Sequence, residues 1–275
     1  MTITASQVNE LRQKTGAGMM DCKKALVEAN GDMDAATDIL RKKGQKVAAK
    51  RGDRDANEGQ VIGLTSDDGK KGVMVSVNCE TDFVAKNDDF GKFVNTIAEI
   101  ALNNAPNSLD ELKSLNFNGG DITIGDKIIE QTGVIGEKID LSAYELISAE
   151  NVVAYNHPGN RVASMVGLNK GGSSDVGRDV AMQIAAMAPL ALSKDGISED
   201  VVQKEIEVGK DLAIQEGKPA DMAEKIAMGR LNKFFKENTL LSQQFIKDNK
   251  LSVEQYLKQN DGDLKVTEFR RIALG

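Results

Sequence analysis

A chain of 275 residues, 40% hydrophobic and 28% charged, is long enough for two domains or one elaborated domain and carries too much apolar residue to stay disordered. Aromatics make up only 4% and Trp is absent, so the core must be aliphatic and Met-rich. The net charge of −7 hides an asymmetry, because residues 1–54 hold eleven Lys or Arg against seven Asp or Glu and the remainder is strongly acidic.

Two cysteines without paired spacing, Cys22 and Cys79, argue against a disulfide framework or a zinc site. The longest uncharged run, Val180–Ser193, is too short for a bilayer, which takes roughly 20 apolar residues. The first residues lack a basic segment followed by an apolar one. These features predict a cytoplasmic protein with no membrane partner.

Along the chain, Ile3, Val8 and Leu11 at helical spacing precede Thr15-Gly16-Ala17-Gly18, which predicts a short helix and a sharp turn. A second helix is expected from about Met19 to Ala29, with Met20, Ala25 and Leu26 on its inner face, ending at Asn30-Gly31-Asp32. Asp32 then caps a third helix carrying Ala35, Ala36, Ile39 and Leu40. The basic stretch Arg41–Arg54 reads as an exit and linker, so residues 1–54 form a three-helix N-terminal domain with a basic linker.

From Gly59 the pattern changes. Val61–Thr65 and Val73–Val77 flank Ser66-Asp67-Asp68-Gly69 and read as a β-hairpin. A helix from about Asp89 places Phe90, Phe93, Val94, Ile97 and Ala101 on one face. This unit recurs weakly. Val75, Val77 and Asn78 match Val166, Leu168 and Asn169 at an offset of 91, whereas Asp89, Gly91, Lys92 and Val94 match Asp175, Gly177, Arg178 and Val180 at 86. The first copy therefore has five extra residues between strand and helix, and they fall in the interval holding Thr81-Asp82-Phe83-Val84-Ala85-Lys86. Residues 55–150 and 151–275 are read as two related halves of a core. In the second, about 198–236 reads as a helical hairpin broken at Glu216-Gly217-Lys218-Pro219, its seam formed by Val202, Ile206, Gly209 and Ala213 against Met222, Ile226 and Gly229.

The inventory for catalysis is poor. His157 is the only histidine, and neither a Gly-x-Ser-x-Gly turn, a Gly-Lys-Ser or Gly-Lys-Thr phosphate cradle nor a His-Glu-x-x-His pair is present. Cys79, the best nucleophile candidate, is better read as a buried structural thiol. No catalytic residue, cofactor or metal is expected. Seven cations from Arg41 to Arg54 could meet phosphates, but no aromatic is interleaved with them and the remaining chain repels a polyanion, so direct nucleic-acid contact is not expected. Protein binding is favoured by Phe83, an aromatic ring set among Asp82, Lys86, Asn87, Asp88 and Asp89. It either tucks under its own helix or enters a partner's pocket.

Two long segments are recognisable. Thr15-Gly16-Ala17-Gly18-Met19-Met20-Asp21-Cys22-Lys23-Lys24-Ala25-Leu26 and Val77-Asn78-Cys79-Glu80-Thr81-Asp82-Phe83-Val84-Ala85-Lys86 resemble, in that order, the two signatures of the bacterial elongation factor Ts family. Ile135-Gly136-Glu137, the His157 region and Gly217-Lys218-Pro219 extend the resemblance over nearly the whole chain. It implies an α+β protein with a ubiquitin-associated-like three-helix domain and two related α/β subdomains carrying an inserted antiparallel coiled-coil hairpin. It further implies a guanine-nucleotide exchange factor, not an enzyme, that acts in translation on GDP-bound and nucleotide-free elongation factor Tu. The alternative is a non-exchanging scaffold or an RNA-associated binding protein. By matching position, Arg12, Met19, Met20 and Lys23 would dock on the partner's nucleotide-binding domain. Asp82 and Phe83 would press on the helices behind its magnesium and phosphate site, with Thr81 and Val84 as partner-binding residues beside them and support from Ile135 and Gly136. His157 and Ile246 would meet its third domain; Lys247 stands where some members carry an apolar residue.

Overall fold

The computed structural model describes residues 2–275. Helices α1 (Ala5–Thr15), α2 (Met19–Glu28) and α3 (Met33–Arg51) come first, followed by the hairpin β1 (Glu58–Thr65) and β2 (Lys71–Cys79). Then come α4 (Asp82–Ala85), α5 (Asp88–Asn104), α6 (Leu109–Ser114), α7 (Ile124–Ile135), β3 (Asp140–Ser148), β4 (Asn151–Asn156), β5 (Val162–Leu168) and α8 (Ser174–Met187). The chain closes with α9 (Glu199–Gln215), α10 (Ala220–Asn238), the short strands β6 (Gln244–Phe245) and β7 (Asp248–Ser252), α11 (Val253–Asn260) and β8 (Val266–Ala273). The protein is thus α+β, and among the described residues no helix is long and apolar enough to cross a membrane.

The N-terminal helices form where their caps dictate. Thr4 and Gln7 close a reciprocal capping box on α1, and Gly16 ends it at φ 72°, a left-handed value that glycine adopts without strain. Asp32 caps α3 by accepting from the amides of Asp34 and Ala35. Val8, Leu11, Ala17, Cys22, Ala25, Leu26 and Ala36 make a small core of their own. Met20, expected on the inner face of α2, is 63% exposed, and Cys22 fills that face instead.

The basic stretch expected as a linker is helical as far as Arg51. Its inner face continues through Ala36, Leu40, Gly44 and Ala48, residues mostly too small to register as an apolar stripe, and it lies on α7. Contact is close because both helices offer glycine: a Cβ on Gly133 would stand 2.4 Å from the Gly44 Cα. Arg41 adds an ion pair with Asp126 at 3.0 Å. The cations therefore ride the rim and outer face of a docked helix.

Both three-stranded sheets are antiparallel, with orders β1-β2-β3 and β4-β5-β8, and each central strand is buried on both faces. In β2, Val73, Val75, Val77 and Cys79 face α5, where Phe90, Phe93, Val94 and Ile97 meet them, while Met74 faces the other way. In β5, Val166 and Leu168 face α8 and α11, while Ala163 and Met165 face back toward Met74, Val61, Ile147 and Val152. Alternation along a strand thus sends neighbours into different cores, and the layers run helix, sheet, sheet, helix. The two sheets follow the same plan of hairpin, helix and later third strand. α5 and α8 each stop at an alanine in the left-handed region, Ala105 and Ala188, whose following Pro106 and Pro189 cannot continue a helix.

Helices α9 and α10 fold back on each other across Glu216–Pro219, with Gly217 at φ 75°. Gly209 and Ala213 line the seam as expected on α9, but on α10 the buried residues are Ala223, Ala227 and Leu231, one position along from Met222 and Ile226, and Met222 is exposed. Alanine permits the closer approach, with Ala227 Cα 3.1 Å from where a Cβ on Gly209 would stand. Gly229, expected in the seam, faces open space.

These glycines make opposed predictions. Gly133→Ala must lift α3 from α7 and should cost about 2 kcal/mol in urea unfolding. Gly229→Ala should stabilise by up to about 1 kcal/mol by removing a helix-interior glycine. A Gly133→Ala protein as stable as wild type would contradict the close contact.

Candidate functional site

The segment after β2 forms α4, a single turn whose residues point in different directions. Ala85 is buried and Val84 packs against the α5 core, which leaves Phe83 on the solvent side, 85% exposed. Asp82 pairs with Lys86 at 2.7 Å; that hydrogen bond, and then the lysine's charge, hold its carboxyl below the usual range. The turn is capped by Thr81, whose hydroxyl accepts from the Val84 amide at 3.4 Å.

The root of this finger is fixed by two crossed carboxylates. Glu137 accepts from the Thr81 amide at 3.0 Å and from its hydroxyl at 2.7 Å. Glu80 reciprocates, accepting from the Lys138 amide at 2.6 Å, and also receives Arg51 from the end of α3. Adjacent residues on one segment thus hold adjacent residues on the other, and charged acceptors make these bonds stronger than neutral ones. Gly136, in the left-handed region at φ 80°, ends α7 and aims Glu137 at the finger. On the far side Gln60 of β1 donates to the Ala85 carbonyl at 2.6 Å, fixing the finger's other end.

Phe83, Val84, Phe90, Phe93, Val134, Ile135 and Gly16 line one surface cleft of about 480 Å³. The fold therefore brings together the α1–α2 turn, the finger and the end of α7, segments distant in sequence. Met19 and Met20 begin the helix leaving that turn, 60% and 63% exposed, and Arg12 and Lys23 are exposed on α1 and α2. His157 and Ile246 are not in the cleft. His157 stands exposed on the β4–β5 turn, its Nδ1 3.0 Å from the Tyr155 hydroxyl. Ile246, 42% exposed, caps the β6–β7 turn, its amide donating to the buried Gln183 side chain at 2.8 Å. Lys247 is paired with Asp179.

Cys79 closes β2 directly beneath the finger. It is fully buried, and burial, followed by the charge of Glu137, pushes its thiol up to about 12. At neutral pH it stays a thiol and lacks the thiolate a nucleophile needs. Glu80, Glu137 and Gln60 received no role from the sequence, although Glu80 stands inside the second recognisable segment and Glu137 in the Ile135-Gly136-Glu137 match that extends the resemblance. Their partners lie 25 to 58 residues away, beyond the reach of local pattern.

The clamp titrates. The Lys138 amide first, and Arg51 second, hold the Glu80 carboxyl below its usual range. Its stabilising contribution is complete above the ordinary glutamate value of about 4.3 and is lost as pH falls through the lower folded value. Melting temperature measured from about pH 7 to pH 3 should fall less steeply on the acid side for Glu80→Gln than for wild type. Parallel curves would remove Glu80 from the acid response.

The family model described as Elongation factor TS matches residues 80–275, a stretch that opens on Glu80 at the root of the finger. Proteins named elongation factor Ts are similar over the full chain: 54% identical in Christiangramia forsetii, covering 99% of each chain, and 50% identical in Flavobacterium psychrophilum, covering 100% of this chain and 99% of the relative. The protein of that name in Amoebophilus asiaticus is 50% identical and covers all of both chains. With a matching family model over well more than half its length and relatives of this identity from end to end, the chain belongs to the elongation factor Ts family of translation factors.

Proposed function

We propose that this protein is a guanine-nucleotide exchange factor that binds elongation factor Tu and promotes GDP release by disturbing its magnesium and phosphate site. The observation that carries this reading is Phe83, a large apolar ring held 85% exposed on a finger with a clamped root. A ring so placed gains most when a partner buries it. Exchange needs no chemistry of its own. A factor that binds the nucleotide-free partner more tightly than the GDP-bound one must, by linkage, weaken nucleotide by the same factor. Each tenfold weakening takes about 1.4 kcal/mol, so one buried aromatic accounts for roughly one to two decades.

The remaining roles follow the family resemblance. Arg12, Met19, Met20 and Lys23 dock the nucleotide-binding domain; Thr81, Asp82, Phe83 and Val84 are the activating segment, backed by Ile135 and Gly136. His157 and Ile246 meet a further domain. In this reading residues 1–54 are a ubiquitin-associated-like head, 55–150 and 151–275 are related subdomains, and α9 with α10 form the inserted coiled coil. The shared plan of the two sheets supports the relation, and the separate small core of α1–α3 supports the head. The protein works in the cytoplasm, on GDP-bound and nucleotide-free partner, without direct nucleic-acid contact.

Fluorescent GDP release from purified elongation factor Tu tests this reading. Phe83→Ala should slow release at saturating factor by about tenfold or more with the fold intact; unchanged release would remove the ring from the mechanism. Met19→Ala with Met20→Ala should raise the half-saturating concentration and leave the maximal rate. A change in maximal rate alone would overturn that division.

A further inference from the structure

Arg51 is the last residue of α3, and its guanidinium reaches across to the core. One nitrogen, Nη1, donates to both carboxylate oxygens of Glu80, at 2.7 and 2.9 Å. Glu80 is 13% exposed at its side chain and Arg51 30%, so this pair is better shielded than the surface pairs around it, such as Lys14 with Asp34 or Lys92 with Asp89. Glu80 immediately precedes Thr81, the cap of the finger. The same α3 is pressed on α7 at Gly44 and Gly133 and tied to it by Arg41 and Asp126, and α7 leads through Gly136 into Glu137, the other half of the clamp. The helix that carries the head thus touches the Glu80 segment of the finger's root directly and reaches the Glu137 segment through α7.

We propose that Arg51 is a positioning residue that braces the finger against the head, so that force met by Phe83 is carried into α3 instead of bending the finger. A lever acts on its target only if its own root is stiffer than what it pushes, and side chains that do this kind of work are held by a second set of bonds. Glu80 keeps its bond to the Lys138 amide without Arg51, and the Lys138 ammonium still donates to the Gly52 and Arg54 carbonyls at 2.7 and 2.9 Å, so the root stays closed but loses its charged tie to α3. The docking residues Met19 and Met20 stand on the first turn of α2, which is joined to the middle of α3 by the Asp21–Lys43 pair and takes no part in the Arg51–Glu80 tie itself. Removing the tie therefore leaves recognition in place and softens the push. The inference rests on the exchange reading for its consequence, but the brace itself is a property of this chain alone.

Two variants cut the bond from either side. Arg51→Gln removes the charge from α3, and Glu80→Gln keeps an acceptor for Lys138 while losing the charge pair. In the full-length protein, each should speed hydrogen exchange of the Val84, Ala85 and Lys86 amides while the α2 amides keep wild-type protection. With elongation factor Tu and fluorescent GDP, each should lower the maximal release rate about three- to tenfold, the net effect of about one ordinary hydrogen bond, with the half-saturating concentration within about twofold of wild type. Arg51→Gln added to Phe83→Ala should cause no further loss, since Arg51 acts through that ring. Wild-type exchange of the finger amides in both variants would overturn the brace, as would an additive loss on top of Phe83→Ala or a change confined to the half-saturating concentration. If the wild-type protein failed to accelerate GDP release, the exchange reading would fall, and faster finger exchange in Arg51→Gln would still establish the brace.

Discussion

The central strands β2 and β5 are covered on both faces, and most of the remaining architecture follows from that constraint. A strand with two buried faces spends all its side chains on packing, so each sheet needs a helix layer on one side and the other sheet on its second side. Gly72 and Gly167 let the sheets approach: a Cβ on Gly72 would come 2.6 Å from Val152, and one on Gly167 3.2 Å from Ile147. Nothing in such a stack is free to recognise another molecule. What stays outside the stack are the turns and short helices at the strand ends, among them the finger after β2, the β4–β5 turn with His157 and the β6–β7 turn with Ile246.

Of these the finger is the most heavily anchored. Exposing an aromatic ring costs solubility, and a loop of eight residues between β2 and α5 would ordinarily collapse such a ring onto the surface. Here Val84 and Ala85 are already committed to the α5 core, Gln60 holds one end and Glu137 the other, so no rotation of the turn buries Phe83 without breaking bonds. The charges that could compete for those bonds are placed elsewhere: Lys86 is occupied with Asp82, and Arg51 with Glu80. Rigidity around an exposed apolar tip is what distinguishes this surface from the other exposed methionines and aliphatics.

Much of this was legible in the sequence, for local reasons. Gly16, Asp32 and the Asp68-Gly69 pair mark boundaries through backbone and capping chemistry that acts within a few residues, and α5 declared itself by an apolar face of Phe90, Phe93, Val94 and Ile97. Where α3 and α10 depart from their hydropathy pattern, small residues are responsible. Gly44 and Ala48 on α3, and Ala223 and Ala227 on α10, make seams by allowing backbones to approach, and hydropathy does not weigh that. By hydropathy alone the basic stretch therefore reads as a linker, and the α10 face falls one position off. Met20 resembled core because methionine usually is, although Cys22 packs there instead.

Residue order alone is enough to place the chain in its family and to put an aromatic ring in the segment Thr81–Lys86, because neither depends on packing. That Phe83 faces solvent, that Glu80 and Glu137 cross to hold its root, and that Arg51 reaches it from the head are visible only once the chain is folded. Those facts rest on contacts between segments 29 to 58 residues apart. Such contacts are set by how α3, α7 and the sheet pack together, and no periodicity or local propensity encodes the distance between two carboxylates on different elements.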